Sequence, residues 1–255
     1  MKIIEIQKEA QEIIEEYRNI KIHNKRISTP YYINTKKKRN ELRSLAGKGT
    51  PEEIQEETLI FGKLRGIDFN DLNNEQIREF MMKENIGIDC SGFVSHVFDK
   101  WLKKLNNGGI KKHIKFENIS LYRKLVVLIR PIENMSVKVL TNKLNAEKIS
   151  LNEVEVGDII KSQALNHGDH IMLITKLEYD NNNILKSIIY THSTPHFNNE
   201  NGIKEGNIKV LDITKRLEEQ EWNEDITYKG YIKDIENNGI YRLRLMKNIN
   251  ETRNN

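Results

Sequence analysis

A single cysteine, Cys90, rules out any disulfide within the chain and any cysteine-rich zinc centre. Long apolar runs are also missing, and no window approaches the uninterrupted length that a membrane-crossing helix needs. Charges interrupt the opening Met1-Lys2-Ile3-Ile4-Glu5 before a secretory core could form. The expectation is therefore a soluble protein without a membrane span, cytoplasmic for want of a signal peptide or released by an unrecognised route. Nor is there a charge excess of one sign: 41 basic against 37 acidic side chains leave +4, too little to call for a nucleic-acid partner. Internal repeats are not visible. The 255 residues suffice for one large domain, or for a domain with an N-terminal extension.

The cysteine itself is well placed. Phe93, Val94, Val97, Phe98, Trp101, Leu102 and Leu105 recur at the three-and-four spacing of one buried helix face. Cys90 falls at the first turn of that helix and on the same stripe, and Asn106-Asn107-Gly108-Gly109 ends it. Unpaired N–H groups and the positive end of the helix dipole favour an ionised sulfur at such a position, which makes Cys90 a candidate nucleophile. Asp89 is the expected N-cap, and its carboxylate opposes ionisation, so the dipole and a nearby imidazolium would have to outweigh it.

Around this helix the chain divides readily. Ile3, Ile6, Ala10, Ile13, Ile14 and Tyr17 suggest an opening amphipathic helix, followed by a basic, irregular stretch over 21–48 that includes Lys36-Lys37-Lys38-Arg39. Thr50-Pro51-Glu52-Glu53 carries the capping-box pattern and predicts a helix from Pro51 to Leu64, with another over Asn74 to Lys83. Residues 106–150 give few periodic signals. Val154 to Ile160 reads as a turn entering a strand, His170 to Ile174 as a strand, and Ile184 to His192 as its return across an Asp180-Asn181-Asn182-Asn183 turn. Tyr241 to Leu245 alternates as a half-buried strand. This suggests a helical, basic extension over 1–84 and a catalytic domain over 85–250.

A thiol nucleophile needs a base that can take its proton and later protonate the leaving group. His170 opens an apolar strand and could present its ring from a rigid element. If 181–183 form a three-residue loop, His170 lies opposite Thr194 and His192 becomes its diagonal neighbour on the same face; a four-residue loop would reverse that parity. On the first register His192 can orient the His170 ring. The Cys90 backbone N–H would stabilise an oxyanion, with Tyr31 or Tyr32 as a guess for the second donor.

Asp89-Cys90-Ser91-Gly92-Phe93-Val94 resembles the nucleophile motif of the NlpC/p-sixty papain-like cysteine peptidases, mainly bacterial cell-wall endopeptidases. Val156-Gly157-Asp158-Ile159-Ile160 is similar to that family's Gly-Asp strand, and His170 to Ile174 to its histidine-led strand, with His192 where its third polar residue is expected. The resemblance covers residues 87–192. It implies an α+β papain-like fold with a small antiparallel sheet packed on the cysteine helix. It also implies a Cys90-His170-His192 triad and hydrolysis of a peptide amide through a thioester acyl-enzyme. The partner would be a peptide or muropeptide substrate, and no metal or organic cofactor is implied. The same fold could serve an amidase or acyltransferase on a non-wall substrate.

Two further readings belong to other classes. His167, Asp169, His170, His192 and His196 offer ligands for a metal, although strand alternation sends His167 and His170 to opposite faces. Lys36 to Arg39 could instead hold an anionic polymer in a module without catalysis.

Overall fold

The helices that follow residue 50 start at side-chain acceptors placed just ahead of them. The computed structural model describes residues 1–34, 46–117, 119–164, 168–223, 238–246 and 249. In it α2 (Pro51–Leu64) has the full reciprocal box of Thr50 and Glu53, and α3 (Asn74–Lys83) the equivalent pair Asn73 and Gln76. Asp89 caps α4 (Cys90–Lys104) by accepting the Gly92 N–H at 2.6 Å. The N-terminal prediction needs correcting: Lys2–Glu5 is a strand, β1, and the helix, α1, runs only over Lys8–Arg18. Ile3 and Ile4 are β-branched and find a sheet edge to pair with, which overrides the helical spacing.

After α1 a small hairpin, β2 (Ile20–Ile22) and β3 (Lys25–Ile27), leads towards α2. Beyond α4 come α5 (Leu121–Ile129) and the short α6 (Val137–Leu140). The remaining strands are β4 (Ala146–Ile149), β5 (Ile159–Ala164), β6 (Gly168–Tyr179), β7 (Leu185–Thr194), β8 (Gly202–Lys209), β9 (Glu221–Asn223) and β10 (Gly239–Leu243). They form one sheet in the order β4-β10-β5-β6-β7-β8-β9, with β1 added on β6. Every pairing in it is antiparallel. The architecture is thus α+β with a mostly antiparallel sheet, but at eight strands that sheet is larger than the small one expected.

β6 holds the centre. β5 pairs with it from Gly168 to Leu173, and β1 takes it over from Lys176 to Tyr179. The segment before residue 85 therefore supplies a strand to the sheet as well as α1, which packs against α4. Alternate β6 residues serve two cores: Ile171 and Leu173 join the α4 side with Phe93 and Val97, while Met172 and Ile174 join Ile188, Tyr190 and Ile208 on the other. Arg242 on β10 donates to both carboxylate oxygens of Asp158 at 2.9 Å, so the aspartate of the Gly-Asp strand serves to fasten β10 beside the turn into β5.

The β6–β7 turn closes as a three-residue loop: the Asp180 N–H donates to the Ile184 carbonyl at 3.0 Å, and Asn183 adopts a positive φ of 60°. Two one-residue irregularities follow, between Glu178 and Tyr179 and between Ile174 and Lys176. They shift the register in opposite senses and cancel, so Leu173 pairs with Thr191, as in an unbroken hairpin. β8 gives little warning in sequence, yet all of it pairs with β7. Its Gly206 has a steric reason, since a Cβ there would lie 2.2 Å from the Tyr190 ring. Among the described residues, no helix is long and apolar enough to cross a membrane.

Candidate active site

The turn that leads into Cys90 is held by chain segments from both sides. Ile88 N–H donates to the Pro30 carbonyl at 3.1 Å, and Asp89 N–H to that of Gly47 at 2.9 Å. The Ile88 carbonyl accepts from Tyr32 N–H at 3.3 Å and from Ser193 Oγ on β7 at 2.7 Å. Gly92 allows this approach, because a Cβ there would sit 2.6 Å from the Gly47 oxygen. Tyr31 and Tyr32 are thus beside the turn into Cys90 by their backbones, through the Tyr31–Ile88 bridge and the Tyr32 hydrogen bond.

The β6–β7 ladder ends at Leu173–Thr191, although β6 continues to Gly168 and β7 to Thr194. The two strands fork there, and the N-terminus of α4 meets the fork. The Cys90 sulfur accepts from the backbone of Ile171, the neighbour of His170, and from that of Ser91. Strand N–H groups lie in the plane of the sheet, so the sulfur stands at the strand rather than above the α4 face. His170 has the parity of Met172, so its ring leaves β6 from the face opposite the α4 core, and the sulfur meets β6 at the backbone of the next residue. Across the fork, His170 Nε2 and His192 Nδ1 are 2.8 Å apart, with the rings edge to face at a centroid distance of 5.1 Å. Cys90, His170 and His192 are all buried, at 5%, 2% and 1% exposure.

Electrostatics at the site differ from the expectation of a ready thiolate. Burial, followed by the Asp89 charge, pushes the Cys90 thiol up to about 12, against the pull of Lys48 and of the two backbone hydrogen bonds. Position at a helix start is outweighed here by desolvation. Burial, aided by His196, pushes His192 down to about 3, so it is neutral at neutral pH. One of these two nitrogens donates to the other at 2.8 Å, so each ring holds the tautomer and orientation of its neighbour.

That depressed value has a consequence for stability. Between about 6.5, where an unfolded histidine titrates, and about 3, the unfolded chain binds a proton that the folded site refuses. The stability contribution is whole above the upper value and is lost as pH falls through the window, on the order of 5 kcal/mol in total. Denaturant midpoints followed from pH 7 to 4 should therefore fall less steeply for His192→Gln than for the wild type. Parallel curves would assign the acid sensitivity elsewhere.

One participant escaped the sequence reading. Lys48, 8% exposed, donates to Asp89 Oδ1 at 2.8 Å, Ser91 Oγ at 2.6 Å and the Met135 carbonyl at 3.3 Å. Ser91 Oγ passes a hydrogen bond on to Asp89 Oδ1 at 3.0 Å. The Lys48 carbonyl is held in turn by His96 Nε2 of α4 at 2.8 Å, and a carbonyl can only accept, so His96 is protonated at Nε2. A buried cation therefore stands over the capping carboxylate, one residue from Cys90. On the other side, Ser162 pairs directly with His170, and its buried Oγ has no partner among the described residues. It is a polar group on the His170 side of β5.

Residues Lys36 to Arg39 and His167 lie outside the described residues. Among those described, no three metal-ligating side chains converge. No family model matches the chain, and no curated protein matches it.

Proposed function

We propose that this chain is a papain-like cysteine hydrolase of the NlpC/p-sixty type, cleaving a peptide amide of peptidoglycan stem peptides through a thioester acyl-enzyme. The observation that carries this reading is the fork: the Cys90 sulfur rests on the N–H of Ile171 while the adjacent His170 is hydrogen-bonded to His192. Since the thiol rests protonated, His170 Nδ1 takes its proton as the sulfur attacks the carbonyl carbon, rather than beforehand. The Cys90 N–H faces the developing oxyanion. The imidazolium then protonates the departing amine, the C–N bond breaks, and a thioester remains. Water, deprotonated by the same imidazole, attacks the thioester and releases the acid with restoration of the thiol. His192 holds the ring throughout.

The test uses purified stem peptides as substrates. Wild-type protein should release a new amine and, on acid quenching, show an acyl adduct on Cys90 by mass spectrometry. In His170→Ala both should slow by about 10²- to 10⁴-fold, the usual worth of a positioned acid-base group. Cleavage at the wild-type rate without His170 would overturn the proposed mechanism.

A further inference from the structure

Exposed large apolar side chains are scattered thinly over this protein except at one helix. Leu121, Leu125, Leu128 and Ile129 are 80%, 59%, 56% and 73% exposed, and all four belong to α5. Their spacing of four, seven and eight residues gathers them into one stripe facing solvent, while Val127 is buried at 8% exposure. Isolated exposed leucines need no explanation, but a contiguous stripe does.

The rim of the stripe is cationic. Residues 111–133 contain Lys111, Lys112, Lys115, Arg123, Lys124 and Arg130 against Glu117 and Glu133, the last paired with Arg130 at 2.9 Å. Lys111 reaches the end of the helix, where its Nζ donates to the Leu128 carbonyl at 2.6 Å. Lys112, Arg123 and Lys124 are exposed. A second copy of this chain is a poor occupant, because a two-fold contact would set this basic rim against itself. An apolar stripe flanked by lysine and arginine suits a surface that is apolar just beneath a layer of negative charge.

We propose that α5 is a peripheral docking helix for an anionic lipid surface. Its leucine stripe enters the boundary between headgroups and acyl chains while Lys112 and Lys124 meet the lipid charges. At nine residues the helix buries little, so attachment is weak and reversible and depends on both components. The inference is independent of the hydrolase reading.

The experiment is co-sedimentation of the full chain with phosphatidylcholine vesicles containing phosphatidylglycerol or lacking it. Binding is expected only with phosphatidylglycerol and should weaken as salt rises. Leu125→Ser with Leu128→Ser, and separately Lys112→Gln with Lys124→Gln, should each reduce it about tenfold. These side chains are exposed, so thermal melts of both variants should match the wild type. No sedimentation with either vesicle overturns the proposal. Binding that survives the leucine changes but not the lysine changes also overturns it, in favour of a soluble polyanion. A concentration-dependent dimer abolished by the leucine changes would give the face to a second copy.

Discussion

Cys90→Ala should abolish turnover and leave the fold intact: on the proposed mechanism, activity on stem peptides should drop by at least about 10³-fold, since no other thiol is present to take over. The chain should remain folded for reasons that can be read from the local structure. Asp89, not Cys90, supplies the cap of α4, and the strapping bonds to Pro30, Gly47 and Ser193 run through the backbone of Ile88 and Asp89. Removing one sulfur leaves a small void, worth about 1 kcal/mol. The hydrogen bond from Ile171 is lost with it, at a similar modest value. The check is a paired measurement of peptide hydrolysis and thermal melting. Residual hydrolysis at the wild-type rate in well-folded Cys90→Ala protein would move the chemistry away from the fork altogether.

Much of this geometry was legible before any coordinates, but unevenly. The capping signals at Thr50–Glu53 and ahead of Phe93 work at a range of three residues, and the helices they start are found where expected. The diagonal placement of His192 follows from turn length alone, and it holds because the two irregularities cancel; one without the other would have inverted the parity. β1 reads as the start of a helix because four residues carry too short a pattern to separate helix from strand, and its partner lies far along the chain on β6. β8 contains Gly202, Gly206 and three charged side chains, so it has no strand pattern of its own and exists through pairing with β7. Lys48 closed a basic stretch that reads locally as solvent-exposed loop. Its burial comes from Asp89, 41 residues on, and no local rule reports such a partner.

Lys48→Met should be the most destabilising single change in the site, and Asp89→Asn should largely reverse it. Methionine fills the volume of the lysine stem but leaves the Asp89 carboxylate, 8% exposed at its side chain, without its cation. Breaking a buried pair from one side typically costs about 3–5 kcal/mol, a fall in melting temperature on the order of 10 °C for a chain of this size. In the double variant Lys48→Met with Asp89→Asn neither charge remains, and asparagine still caps α4 through its side-chain oxygen, so most of that loss should return. The thiol supplies a second readout, because Asp89 pushes the Cys90 thiol up and Lys48 pulls it down. Lys48→Met should therefore shift the pH profile of alkylation by iodoacetamide further to the alkaline side, and Asp89→Asn alone should shift it towards neutral pH. Simple loosening of the turn would expose the sulfur and speed both variants alike. Shifts of opposite sign, cancelling in the double variant, are the signature of two buried charges acting on one sulfur, and a cycle without that cancellation would reduce Lys48 to a packing role.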